Sequence, residues 1–285
     1  MVLGYVFAVL AAVASGSGSI LESLGIRRAG VHGGNSLELV TLRRQWIYFL
    51  GLGVDLAGFV LAAAALHRLP LFLVQSLLAF SVGVTATIAA FMGTRLAAPG
   101  WVALGIGAAG LILLAVSADP SPARTLPPGW RWLLPTMVIP VAAIAYIARR
   151  HNHVWATPLL AFGAGLGYSV VGISARTLNV PDPMWQLVLE PAIWSIVLNG
   201  PAAAVVFAMA LQKGAPTTAT AIMFTTNTTL SSLIGLVYLG DRARTGLAVL
   251  AAAGFVLAIA GAIGVARYSA RAGGYKTAHT TLPPE

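Results

Sequence analysis

Along this chain, long apolar stretches alternate with short polar connections, and few polar side chains interrupt the stretches. A helix rising ~1.5 Å per residue needs about 20 residues to cross about 30 Å of hydrocarbon. Nine stretches approach or exceed that length: Leu3–Leu24, Gln45–Leu66, Pro70–Met92, Pro99–Ser117, Trp130–Ala148, Trp155–Ser174, Trp185–Leu211, Ala215–Leu239 and Thr245–Arg267. The pattern predicts an all-α, polytopic membrane helical bundle. The stretch after Met1 lacks a basic start and carries no charge before Glu22, so it is expected to stay as the first helix rather than to be a cleaved signal.

The connections are a basic loop from Gly25 to Arg44, a Pro-rich loop from Asp119 to Pro128, the turn Arg149–His153, and a polar tail after Arg267. None reaches the ~50 residues that an independent domain typically needs. The expected organisation is a first transmembrane half over 1–118 (helices one to four), a loop over 119–129, a second half over 130–267 (helices five to nine), and a polar cytoplasmic tail over 268–285.

Composition agrees with lipid as the solvent: 58% of residues are hydrophobic and 9% charged, with a mean hydropathy of +0.85. A water-soluble domain does not sustain these values. The chain has no cysteine, which excludes disulfides and thiolate metal sites. Of the 17 Lys and Arg, eleven fall on one side of the predicted bundle, including Arg27, Arg28, Arg43, Arg44, Arg149 and Arg150. The other side has Arg68, Arg124, Arg131, Arg176, Arg242 and Arg244. Cytoplasmic loops carry the excess of positive charge, so the N-terminus is expected outside and the C-terminus in the cytoplasm, at the plasma membrane. Loop cations facing anionic headgroups then account for the net charge of +9, and no nucleic-acid partner is needed.

Part of the chain repeats. His67–Trp101 and Gln212–Leu247 each begin with a basic residue or Gln-Lys pair and a proline. Each continues through an apolar stretch with small hydroxyl residues to a Gly and an Arg, then into another apolar stretch. The copies start at helices three and eight, five crossings apart, and an odd number of crossings inverts topology. Inverted halves can build two gates around one central site. In this alignment Asp55 faces Gly200, next to Asn199, and Asn227 corresponds to about Ser81.

The run Gln45–Ser117, with GlyLeuGlyValAspLeuAlaGlyPhe at 51–59, AlaLeuHisArgLeuPro at 65–70 and GlyThrArg at 93–95, resembles the drug/metabolite transporter superfamily, most closely its NIPA-type magnesium transporter branch. MetPheThrThrAsnThrThrLeuSerSerLeu at 223–233 and GlyAsp at 240–241 are similar to the closing helices of EamA-type members. The resemblance covers about two thirds of the chain and implies a five-plus-five inverted repeat. Nine helices here imply a 4+5 version lacking the helix after the first, as in NIPA-type proteins. Asp55 stands where that branch carries an acid between small residues and before an aromatic, so the resemblance marks it as a candidate metal ligand.

Apart from any family, an aspartate in an apolar helix costs roughly 2.5–3.5 kcal/mol on insertion scales and normally faces a cavity or a partner. A cation or proton site, a structural hydrogen bond and simple proximity to the interface all remain open for Asp55. Magnesium prefers oxygen ligands and keeps several waters, so two carboxylates could suffice; the other helix acids are chiefly Glu22 and Glu190. Glu22 follows SerGlySerGlySer at 15–19, a stretch that suits close packing, and an interfacial pair with Arg27 or Arg28 is its plain alternative. ThrThrAsnThrThr at 225–229 puts Asn227 inside a span, where it either lines the pathway or bonds to another helix. Gln75, Ser76, Ser81, Tyr168 and Asn199 are further pathway candidates, with interhelical packing as the alternative.

His151 and His153 bracket Asn152 beside two arginines, but two ligands without an acid make an incomplete metal site. No Walker loop, dinucleotide fingerprint or nucleophile elbow is present, so no enzyme and no cofactor is expected. The expected function is a secondary transporter. It moves a small polar or charged solute or ion through a midplane cavity lined by helices one, two, three, six, seven and eight, with a proton, sodium or magnesium ion as coupling cation. A NIPA-like magnesium carrier, a flippase for a lipid-linked envelope precursor and a non-transporting scaffold are the alternatives. A homo-oligomer is compatible with the sequence, which specifies no oligomeric state.

Overall fold

The computed structural model describes residues 2–33, 46–91, 98–119, 124, 128–150, 155–179, 182, 184–213 and 216–278. Among these residues the helices are α1 Val2–Gly33, α2 Trp46–Leu66, α3 Leu71–Ala79, α4 Ser81–Phe91, α5 Ala98–Ser117, α6 Pro128–Thr136, α7 Val138–Arg150, α8 Ala156–Thr177, α9 Pro191–Lys213, α10 Pro216–Val237 and α11 Ala248–Ala278. They make nine stretches long and apolar enough to cross a membrane, because α3 with α4, and α6 with α7, each form one broken span. The fold is an all-α helical bundle.

The third stretch, expected as one helix, breaks at Phe80 without a proline. Ser76 Oγ donates to Phe72 O at 2.7 Å, Thr85 Oγ1 to Ser81 O at 3.1 Å and Thr87 Oγ1 to Gly83 O at 2.8 Å. Such return bonds often bend helices, yet α8 and α10 carry them unbroken. Gly83 N donates to Phe80 O at 2.8 Å, which tightens the turn, and the Phe80 ring occupies the space over Gly107. The helix expected from the sequence to be its counterpart, α10, is continuous from Pro216 to Val237. The α6–α7 break has an ordinary cause: Pro140, near the start of α7, has no N–H to give the carbonyl of Thr136, the last residue of α6, and its ring crowds that carbonyl.

Three further boundaries differ from expectation. Span seven starts at Pro191, with Trp185 in a 3-10 turn over Met184–Leu189. The residue before a proline is disfavoured in helical conformation, which stops the helix from extending back through Glu190. Helix α1 continues to Gly33 and α11 to Ala278, so part of the expected basic loop and of the expected tail is helical. Charge ends a membrane span, but it does not end a helix. The expected loops also pair where Ala118–Asp119 (β1) meets Arg242–Ala243 (β2), antiparallel, with Asp119 opposite Arg242.

Helix α8 sits at the centre: 72% of its span is buried, against 17% for Gly129–Ala148 at the periphery. Small residues let helix backbones approach closely. A methyl group on Gly110 of α5 would lie 2.4 Å from Ala258 N of α11, and one on Gly261 would lie 2.3 Å from the Cα of Gly107. The same device joins α1 to α2, where a Cβ on Gly18 would come within 3.1 Å of Asp55 N. Outward positions are apolar: Leu56, Val60, Ile112, Val205 and Val256 are all exposed.

Candidate functional site: a polar cavity shared by both halves

A cavity of about 320 Å³ lies among α1, α2, α3 with α4, α8, α9 and α10. These are spans one, two, three, six, seven and eight. Asp55, Gln75, Ser81, Tyr168 and Asn227 of the sequence candidates line it. Among its described lining residues, Asp55 is the one acid and no Lys, Arg or His is present.

Asp55 is half-buried, and its Oδ1 accepts a hydrogen bond from Ser15 Oγ at 2.8 Å. The local sequence explains the contact. A Cβ on Gly58 would lie 3.2 Å from Ser15 N, so the glycines of α1 and α2 let the two helices close until hydroxyl and carboxylate meet. Among the described residues Asp55 has no basic side chain within ion-pair distance. Nearby, Thr85 Oγ1 donates to Gly16 O at 3.0 Å, fixing α1 against the start of α4.

On another wall Asn227 Nδ2 donates to Gln75 Oε1 at 3.2 Å, a bond between α10 of the second half and α3 of the first. Ser231 Oγ donates to Asn227 Oδ1 at 3.4 Å, and Ser169 Oγ to Asn227 O at 3.2 Å. Gly172 of α8 makes room for the amide, since a Cβ there would lie 2.0 Å from Gln75 Nε2. The aromatic rings of Phe59, Tyr168, Phe207 and Phe224 complete much of the remaining lining.

Two candidates lie elsewhere. Ser76 is buried and turns its hydroxyl onto Phe72 O. Asn199 is fully buried, with Nδ2 donating to Ser195 O at 3.0 Å and Leu134 O at 3.3 Å. It braces the broken α6–α7 span, and α9 reaches the cavity through Phe207 instead. Glu22 is a residue of α1 whose side chain lies outside the described residues, as do His151 and His153. Among the described residues no three His, Asp or Glu side chains come together.

One contact had no place in the sequence account. Arg176 at the end of α8 and Asp241 after α10 form an ion pair at 2.7 Å, with both side chains fully buried. Arg176 also donates to Leu66 O, and Asp241 Oδ2 accepts from Leu71 N at 2.5 Å. Arg176 is therefore not a loop cation facing headgroups, as the charge count assumed. The available signal was a lone arginine closing a Gly-rich apolar helix and a lone acid behind Gly240, whose φ of 75° lets the chain turn there.

No protein-family model, curated protein or solved structure matches this chain.

Proposed function

We propose that this chain is an integral membrane secondary carrier with inverted halves, in which Asp55 binds a small cationic solute or a coupling cation. The observation that carries this reading is the Asp55 carboxylate, which opens into a cavity shared by both halves with one neutral hydroxyl as its partner. An ionisable group in a span is expensive to keep and marks a pathway by default. Tryptophans add support for the membrane: Trp46, Trp132, Trp155 and Trp185 are exposed near helix starts, the depth that interfacial indoles favour. The proposed orientation, N-terminus outside in the plasma membrane, follows the bias of positive charge.

The lining selects charge sign and size. One carboxylate, four aromatic rings and no basic side chain among the described lining residues suit a cation, which a ring face and a carboxylate both attract. A volume of about 320 Å³ fits a small organic ion or a hydrated metal ion. The Gln75–Asn227 amide pair and the Tyr168 hydroxyl supply neutral hydrogen bonds. Magnesium, as a transported substrate, would take Asp55 and waters as ligands.

The test is a set of concentration jumps of protons, Na⁺, Mg²⁺ and small organic cations on proteoliposomes adsorbed to a capacitive surface. A charge displacement in the parent that disappears in Asp55→Asn supports the reading. Equal displacements in both proteins, or none with any cation, overturn it and favour the flippase or scaffold.

A further inference from the structure

We infer that the Arg176–Asp241 ion pair is a latch that shuts the cavity at one end and holds the two halves together there. The inference rests on the carrier reading of the same cavity. Arg176 and Asp241 belong to the second half, whereas their further partners, Leu66 O and Leu71 N, flank the turn between α2 and α3 in the first. Four chain segments thus meet at one buried pair of charges.

The latch borders the cavity directly. Leu66, whose carbonyl accepts from Arg176, lines the cavity, and so does Ala175, the residue before Arg176. Above the pair the connections are tied down as well: β1 pairs with β2, Arg124 N donates to Leu239 O at 3.0 Å, and Arg244 N donates to Ser117 O at 2.8 Å. Gly235 leaves the space Asp241 needs, since a Cβ there would lie 2.6 Å from Asp241 Oδ2.

An ion pair suits a closure that must reopen. A buried pair gains Coulombic energy but forfeits hydration, so the two terms roughly offset each other. When the halves separate and water enters, both charges recover hydration, whereas an apolar plug would expose its surface at a net cost. Arg176 and Asp241 are therefore positioning residues that set which side the Asp55 site faces. They do not touch the solute.

The absence of cysteine makes a direct test clean. Ala63→Cys places a thiol in the cavity lining, one turn from Leu66. A charged, membrane-impermeant thiol reagent is added to one side or the other of sealed vesicles. Labelling from the latch side is expected to be slow in the parent and to rise about tenfold or more with Asp241→Asn, about 1.4 kcal/mol in the equilibrium between closed and open. Arg176→Lys keeps the charge but loses the forked contact to Leu66 O and Asp241, and is expected to give an intermediate rate. It also carries the test should Asp241→Asn fail to fold. Latch-side labelling that is already fast in the parent, or unchanged by Arg176→Lys in a folded protein, overturns the latch. Loss of cation-dependent charge displacement in Asp55→Asn reports the carrier reading separately, so the two can fail independently.

Discussion

Two aspartates in this molecule live under opposite conditions. Asp241 is fully buried, paired with Arg176 and bonded to a backbone amide, so its charge is answered from every side that the fold supplies. Asp55 is half-buried in an apolar helix, and one serine hydroxyl answers it. Removing an aspartate of the first kind strands a buried cation, whereas removing one of the second kind relieves a cost. A satisfied charge holds the fold together, and an unsatisfied one at a cavity is available to a ligand.

The largest expected effect separates the two. Asp241→Asn leaves Arg176 buried against a neutral amide and should lower stability by about 3–5 kcal/mol. Asp55→Asn should leave the unliganded protein as stable as the parent or more so. Thermal midpoints of both variants in detergent check this, and a similar large loss at Asp55 would remove the distinction.

A smaller contrast concerns two glycines. Gly235→Ala forces a methyl group to 2.6 Å from Asp241 Oδ2, and Asp241 is held by two partners, so a loss of about 1–3 kcal/mol is expected. Gly172→Ala makes a shorter contact, 2.0 Å to Gln75 Nε2, yet should cost less, because the end of a glutamine can swing into the cavity. Denaturation midpoints of the two variants are the check; the reverse order would mean that the cavity wall is the more rigid region.

The smallest effect is at His67, in the turn beside the latch. Partial burial, and after it the Arg176 guanidinium, hold the imidazole below its ordinary value of 6.5. The unfolded chain then binds the proton more readily, so the contribution of His67 is complete above pH 6.5 and is lost as pH falls through the folded value. Much of its surface faces solvent, which keeps the effect small. The difference in midpoint between the parent and His67→Gln, followed from neutral to acid pH, should shrink or change sign in that direction.

The nine long helices were legible because an apolar stretch of crossing length has few other uses. Asp55, Gln75, Ser81, Tyr168 and Asn227 stood out as polar groups in apolar helices, and they line one cavity. The break at Phe80 was not legible, since no proline marks it and the seat of the Phe80 ring over Gly107 is a contact between distant parts of the chain. Asn199 looked like a pathway residue because depth was readable and rotation about the helix axis was not. Arg176 and Asp241 were missed for a related reason: they lie 65 residues apart, and each alone resembles an interfacial charge.

The thermal midpoint of the parent and of Asp55→Asn, titrated with protons, Na⁺, Mg²⁺ and small organic cations, tests most directly whether Asp55 is a cation site. A ligand of the folded state raises the midpoint by mass action. At least one cation should raise the parent's midpoint in proportion to the logarithm of its concentration and leave Asp55→Asn unmoved. An equal rise in both proteins, or no rise with any cation, would contradict it.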